Sequence, residues 1–133
     1  MLYKRLELPS TSDAIHKVEA LIEEIAQDLD VKEDVYGNIM VAVTEAVNNS
    51  IIHGNKQDES KKVFVDIAMR HPYRLTIQVT DEGPGFNPES LPDPTAPENI
   101  ENIGGRGVFL MRHLSDELSF HDDGKTAQMI FNI

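Results

Sequence analysis

The chain has 133 residues, a common length for one domain, and 40% of them are apolar, which is enough to bury one core. It contains no cysteine, which excludes disulfides, thiolate metal sites and cysteine nucleophiles and agrees with a reducing cytoplasm. The 12 basic and 23 acidic residues give a net charge of −11, which would repel nucleic acid. The sequence also lacks an apolar run long enough to span a membrane. We therefore expect one cytoplasmic domain over residues 1–133, acting on neither nucleic acid nor membranes.

The predicted elements begin with a strand and a helix. Apolar and polar residues alternate from Leu2 to Leu8, which is typical of a strand, and Pro9 ends it. Residues 10–13 can cap a following helix, in which apolar residues recur at helical spacing from Ile15 to Leu29. One face of this first helix is therefore expected to lie against an apolar core.

A second helix is predicted from about Lys32 to Ile52. Between Ile39 and Val47 only Thr44 and Glu45 are polar, so this helix is expected to be buried nearly all round. A carboxylate in such a helix costs stability unless it is paired, hydrated or used in function.

The next part of the sequence predicts two strands and a long connection. Residues 63–69 and 75–79 alternate apolar with polar positions on either side of a turn at 70–73, which predicts an antiparallel pair. Residues 83–107 are rich in proline and glycine, and a loop of this length in a compact domain is usually functional or mobile.

The remaining segments predict a short helix and a final strand. Apolar residues at 108, 111, 114 and 118 have helical spacing, and alternation from Ala127 to Ile133 indicates a strand. Strands and helices segregated in this way predict an α+β fold. We expect a two-layer sandwich with helices packed on one face of a mostly antiparallel, mixed sheet and the other face solvated.

Three polar residues on the second helix form the first candidate site. Glu45, Asn49 and His53 are separated by one helical turn each, so they project from one face. The amide oxygen suits Mg²⁺, and the carboxylate can orient or deprotonate a hydroxyl group. The alternative is a polar stripe satisfied by neighbouring backbone, and the spacing does not decide between the two.

Two glycine-containing segments are further candidates. Asp81 follows a predicted strand, and Gly83 and Gly85 would let a planar ligand approach the backbone, although an ordinary turn explains this segment alone. Residues 104–107 open the predicted third helix, where backbone N–H groups favour a phosphate, unless they form only a flexible linker. Arg106 is either a phosphate contact or a solvated charge.

One motif is rejected. Gly124-Lys125-Thr126 copies the end of a Walker A sequence, but Ser119 stands where its first glycine is required. A strand rather than a helix is predicted to follow, so we expect no P-loop here.

Together, these segments resemble the GHKL ATPases. Residues 45–55 resemble the N box of that superfamily, residues 81–85 its first glycine box, and residues 105–107 its second, in the same order and over essentially the whole chain. Within the superfamily, the phrases at 43–47, 51–54 and 105–111 are typical of the anti-sigma-factor serine kinases of the RsbW and sporulation type.

The resemblance implies roles for residues of the N box. Glu45 matches the catalytic base, and Asn49 matches the Mg²⁺ ligand that bridges to the phosphates of ATP. His53 is expected to line the same face as these two residues and to touch the nucleotide. Asn55 departs from the family, in which an aromatic residue is common at this position.

The resemblance also implies how the glycine boxes bind ATP. Asp81 matches the carboxylate that recognises the adenine amino group, and Gly85, in one box with Gly83, lies beneath the base. The second box matches the phosphate-binding segment, comprising Gly105, Arg106, Gly107 and Val108. Thr126 matches a late threonine near the base, and residues 87–103 match the ATP lid.

Fold and partners follow from the same resemblance. The family has the Bergerat fold and is often dimeric, so a homodimer is expected. The implied function is that of a protein-serine kinase and anti-sigma factor that phosphorylates an anti-anti-sigma partner of the STAS type and sequesters a sigma factor. The alternative is a non-catalytic module that uses ATP to regulate another protein. Lys125 in place of a threonine, and the lack of a basic residue before Gly104, depart from the family pattern.

Overall fold

The computed structural model describes residues 2–85 and 103–133 of the chain. Its strands are β1 (Leu2–Pro9), β2 (Lys62–His71), β3 (Arg74–Thr80), β4 (Glu117–His121) and β5 (Thr126–Asn132). Its helices are α1 (Ala14–Asp28), α2 (Glu33–Asn49) and α3 (Ile103–Leu114), and a π-helical turn at Ser50–Gly54 continues α2.

The five described strands form one sheet in the order β1-β2-β3-β5-β4, with antiparallel pairing throughout. The predicted hairpin is confirmed as β2 and β3, whose register places Ile67 opposite Ile77. In the next pairing, Ile77 lies opposite Met129. β5 is thus inserted between β3 and β4, although β4 precedes it in the chain.

The helices cover one face of this sheet, as the sequence predicted. Side chains at alternate positions of the three central strands are buried against them: Val63, Val65, Ile67, Leu75, Ile77, Val79, Ala127, Met129 and Phe131. The apolar stripe of α1 meets them through Val18, Ile22 and Ile25, and α2 contributes Ile39, Val43 and Val47. The α+β sandwich therefore follows from matching two apolar periods, one of strands and one of helices.

The second helix is less enclosed than predicted. Val41 is 43% exposed and Glu45 is partly exposed, so one stripe of α2 is open to solvent. The α-helix also ends at Asn49 rather than near Ile52, because the backbone then widens into the π-helical turn. That turn closes with the Asn55 N–H donating to the Ser50 carbonyl at 2.8 Å.

The prediction that Leu118 continues the third helix is wrong. α3 ends at Leu114, and Leu118 lies on β4 opposite Met129. The Asp116 N–H donates to the Ile130 carbonyl at 2.8 Å, so the chain joins the sheet directly after the helix.

The open face of the sheet is polar, whereas the space between sheet and helices is apolar. The open face of the sheet carries polar cross-strand pairs, including Gln78 with Gln128 at 2.7 Å and Arg5 with Asp66 at 3.5 Å. Under the helices, at the end where α2 begins, aliphatic side chains line a small cavity: Ile22, Ile25, Ala26, Val31, Ile39, Ile67, Leu75 and Ile77. Within the described ranges, no helix is long and apolar enough to cross a bilayer.

Candidate functional site

The candidate site lies at the opposite end of the helix layer, where β3 and α2 both end. Asp81 directly follows β3, and its N–H donates to the carbonyl of Lys125 at 3.0 Å. The residue is 9% exposed, and its carboxylate accepts a hydrogen bond from the Gly83 N–H at 2.9 Å. The sheet thus delivers one nearly buried carboxylate in a fixed place.

The environment of Asp81 opposes its charge. Burial raises the pKa of its carboxyl above the ordinary value, and this effect outweighs the hydrogen bonds from the Gly83 N–H and the Ser50 hydroxyl. The charges of Lys125 and Lys61 also favour the ionised form, less strongly. A ligand that donates a hydrogen bond to this carboxylate would therefore compensate for part of its lost hydration.

Two glycines bring the N box and the first glycine box into backbone contact. A Cβ built on Gly54 would overlap the carboxylate of Asp81, and one built on Gly83 would overlap the carbonyl of Gly54. Neither position has room for a side chain. The closeness of these two segments is thus a direct consequence of glycine at both positions.

Gly85 extends the same contact to the turn between β4 and β5. Its φ of 82° lies in the left-handed region, and a Cβ there would overlap the carbonyl of Asp123. Asp122 and Asp123 also have positive φ values, 54° and 57°. The predicted first glycine box, which follows β3, therefore packs against the tight turn between β4 and β5.

The second glycine box meets the N box through Gly107. A Cβ on this α3 residue would lie 2.9 Å from Nδ2 and 3.0 Å from Oδ1 of Asn49, so the glycine accommodates the amide. Glu45 lies one turn earlier on α2 and is partly exposed. The structure thus brings Asn49, Gly107 and the N-terminal part of α3 together, with Glu45 on the same helix.

The other predicted residues around the N box and α3 have different surroundings. His53 is exposed and lies in the π-helical turn, beyond the end of the α-helix that carries Glu45 and Asn49. Val108 is 6% exposed and belongs to the core, so its backbone rather than its side chain can face a ligand. Gly105 lies in the first turn of α3, which begins at Ile103 rather than after the glycines. The first-turn N–H groups have no partner within the helix.

The side chain of Thr126 lies against Thr80, the residue directly before Asp81. Its hydroxyl is hydrogen-bonded to that of Thr80 at 2.9 Å and donates to Asp122 Oδ2 at 3.2 Å. Lys125 lies in the turn directly before β5, and its carbonyl accepts the Asp81 N–H. The predicted role of Thr126 near the base stays a prediction, and the charge of Lys125 lowers the pKa of the Asp81 carboxyl.

Two predictions fall on parts that the structure does not describe. Residues 87–102 of the predicted lid and the side chain of Arg106 lie outside the described residues. The rejected P-loop, by contrast, is tested: Thr126 begins β5, so the segment 124–126 precedes a strand and not a helix.

Asn55 is buried beside the site, although its position in the sequence did not predict a role there. Asn55 is 1% exposed, and its Oδ1 accepts a hydrogen bond from the Glu82 N–H at 2.8 Å. Its Nδ2 donates to Ser10 Oγ and to the Lys62 carbonyl, both at 2.9 Å. The signal available in the sequence was its departure from the aromatic residue common in the family.

The residues present suit a metal ion whose coordination is supplied mainly by a bound phosphate ligand rather than by the protein. Among the residues that the structure describes, no group of three or more His, Asp or Glu side chains could hold an ion. Asn49 offers one amide oxygen, which is a ligand type that Mg²⁺ accepts when phosphates and water supply the rest.

Comparison with known proteins agrees with this geometry. A family model described as "Histidine kinase-like ATPase domain" matches residues 8–131. The serine-protein kinase RsbW of Listeria monocytogenes serovar 1/2a is 25% identical, over 93% of this chain and 83% of its own length. That of Staphylococcus epidermidis is 26% identical, over 96% of this chain and 85% of its own length.

Solved structures show the same fold. A structure of the RsbU and RsbW domains of a Mycobacterium tuberculosis protein superimposes with a TM-score of 0.72 at 19% identity, and the match covers 99% of this chain and 32% of that one. The histidine kinase domain of a blue-light-activated kinase from Erythrobacter litoralis gives a TM-score of 0.54, also at 19% identity, over 93% of this chain and 61% of its own.

Proposed function

This chain belongs to the histidine kinase-like ATPase family, and we propose that it is an ATP-dependent protein-serine kinase that also acts as an anti-sigma factor. The observation that carries the proposal is the meeting of three distant segments. Asn49 of the N box lies against Gly107 of the second glycine box, and Gly54 lies against Asp81 of the first. The names of the RsbW relatives support serine as the acceptor.

In this proposal, the described residues divide ATP recognition between two ends. The adenine amino group donates to the Asp81 carboxylate, which is buried and lacks a full hydration shell. The triphosphate lies toward the first turn of α3, where N–H groups without a partner inside the helix, together with the helix dipole, favour an anion. Asn49 Oδ1 would hold Mg²⁺, which would neutralise charge on the transferred phosphoryl group.

Phosphoryl transfer then needs one base and correct alignment. The serine oxygen of the partner attacks the γ-phosphorus in line, the bond from that phosphorus to the β–γ bridging oxygen breaks, and ADP leaves. Glu45 accepts the proton of the serine hydroxyl. Glu45 is partly exposed on α2, which allows a hydroxyl from a second protein to reach it. The rate gain comes mainly from positioning and charge neutralisation.

The proposed partners are a STAS-type anti-anti-sigma protein, which is phosphorylated, and a sigma factor, which is sequestered. The net charge of −11 favours association with a basic partner surface. The likeness to proteins named serine-protein kinase RsbW supports a protein as the substrate.

The experiment that tests the proposal has two steps. The purified protein is titrated with ATP by calorimetry, with and without Mg²⁺, and phosphate transfer from labelled ATP to a co-encoded anti-anti-sigma candidate is then measured. Mg²⁺-dependent binding followed by serine phosphorylation is the expected result. Binding without transfer to any candidate would favour the non-catalytic regulatory module, and absence of binding would contradict both.

We predict that Glu45→Ala keeps ATP binding but lowers transfer by about a hundredfold or more, because a positioned base contributes that order of rate. The measurement is single-turnover transfer at saturating ATP. Glu24→Ala is the matched control, since Glu24 is an exposed carboxylate on α1. Full activity of Glu45→Ala would remove this residue from the role of base.

A further inference from the structure

We propose that Asn55 is a positioning residue for base recognition. Its side-chain amide holds the backbone of Glu82 and thereby orients the neighbouring carboxylate of Asp81 toward the adenine amino group. The inference rests on the proposed function, because it takes Asp81 as the group that contacts adenine.

The amide of Asn55 has one orientation that satisfies its neighbours. Oδ1 faces the N–H of Glu82, whereas Nδ2 faces two acceptors, Ser10 Oγ and the Lys62 carbonyl. Exchanging the oxygen and nitrogen would oppose donor to donor at Glu82 and acceptor to acceptor at the Lys62 carbonyl, so both of these bonds would be lost. Because Asn55 is 1% exposed, water cannot readily replace them.

The partners of Asn55 are themselves anchored to the sheet. Ser10, also 1% exposed, donates from Oγ to the Lys61 carbonyl at 2.7 Å. Lys62 is the first residue of β2, and its N–H donates to Glu82 Oε1 at 2.6 Å. Asn55 therefore ties Glu82 to the link between β1 and α1 and to the start of β2.

This tie acts on the backbone that carries Asp81. Three successive N–H groups in this segment have three separate acceptors. That of Asp81 donates to the Lys125 carbonyl, that of Glu82 to Asn55 Oδ1, and that of Gly83 to the Asp81 carboxylate. Removing the middle bond frees the Asp81–Glu82 peptide plane to rotate. The carboxylate would then lose its fixed direction, and ordering it again would weaken ligand binding.

The test compares ATP with purine riboside triphosphate, which lacks the 6-amino group but keeps the sugar and phosphates. The wild type is expected to bind ATP more tightly. Asn55→Ala should lower ATP affinity by about tenfold, the order of one lost charge-assisted or buried hydrogen bond. Its affinity for purine riboside triphosphate should change by less than about twofold, within the spread expected for a group that is not contacted. A merely structural defect would weaken both ligands alike.

Ser10→Ala is the matched control. It removes one acceptor of Nδ2 and leaves the bond from Glu82 intact, so it should lower stability but retain discrimination between the two ligands. Asn55→Asp retains an acceptor for the Glu82 N–H and should also discriminate. Equal discrimination by Asn55→Ala and the wild type would overturn the inference.

The remaining outcomes are also decisive. If the wild type itself does not distinguish the two ligands, the role of Asp81 fails and the inference falls with it. If Asn55→Ala does not fold, amide hydrogen exchange on the wild type decides. The Glu82 amide is expected to be protected, and to remain so in Ser10→Ala. An unprotected Glu82 amide would contradict a holding role for Asn55.

Discussion

The two ends of the interface between helices and sheet are packed by different means. Where α2 begins, aliphatic side chains meet across the layers and still leave a small cavity. Where α2 ends, glycines allow backbone and polar groups to touch, as Gly54 does with Asp81 and Gly107 does with Asn49. The apolar end depends on total volume, which many side chains supply. The polar end depends on the absence of Cβ atoms at its glycines, so these positions accept far fewer substitutions.

The largest effect on stability is expected at the apolar end. Ile77 is fully buried beside the cavity, and Ile77→Ala should lower the free energy of unfolding by about 2–5 kcal/mol. Urea unfolding measures this loss. ATP affinity of the folded protein should not change, although Asp81 directly follows the strand that carries Ile77. A parallel loss of affinity in the folded protein would show that the two ends are coupled.

A smaller loss of stability but a larger loss of binding is expected from Gly54→Ala. The added methyl group overlaps the Asp81 carboxylate, and overpacking of this kind costs about 1–3 kcal/mol. The carboxylate must shift, so ATP affinity should fall by at least about tenfold, as for a lost buried hydrogen bond. Urea unfolding and calorimetric titration separate the two effects. Unchanged ATP affinity would mean that the position of Asp81 is not critical.

An increase in stability is expected when a different glycine of the same helical segment is replaced. Gly37 is exposed near the start of α2, and a Cβ there would meet nothing within 4 Å. Gly37→Ala should therefore raise the free energy of unfolding by about 0.5–1 kcal/mol, because it removes the entropic cost of glycine in a helix. ATP binding should stay the same. Destabilisation by this variant would contradict the view that Gly37, unlike Gly54, has room for a side chain.

The smallest effect is expected in the pH dependence of stability. Because burial raises the pKa of Asp81 from 3.8, the folded state binds more protons than the unfolded chain between that value and the raised one. This carboxyl therefore lowers stability as pH rises through the window, and its contribution is constant above it. Asp81→Asn should remove that part of the slope while still accepting the Gly83 N–H. Urea unfolding of both proteins from acid to neutral pH measures the difference, and identical slopes would contradict it.

The regular elements were predictable because their signals are local. The apolar period of α1 from Ile15 to Leu29 and the alternation along β2 and β3 each repeat several times, so single exceptions do not hide them. The end of α3 was not predictable in this way. Leu118 has helical spacing from Leu114, but pairing of Asp116 with Ile130 draws the chain into the sheet.

The candidate site was likewise predictable only where its signals are local in the sequence. Asn49 and Asp81 could be selected from the sequence because their motifs are contiguous. The surroundings of Asn55 could not, since its partners are Ser10, Lys62 and Glu82, which only the folded chain brings together. The pairing of Thr126 with Thr80 depends on the register of β5 against β3, which a motif does not specify.

The insertion of β5 between β3 and β4 has a consequence for biosynthesis. The Asp81 N–H is held by the carbonyl of Lys125, so the base pocket that we propose is incomplete until β5 has left the ribosome and docked. A nascent chain that has emerged only as far as α3 already carries the N box and both glycine boxes but lacks this support. Competence to bind ATP is thus acquired late in synthesis, after the motifs themselves have been made.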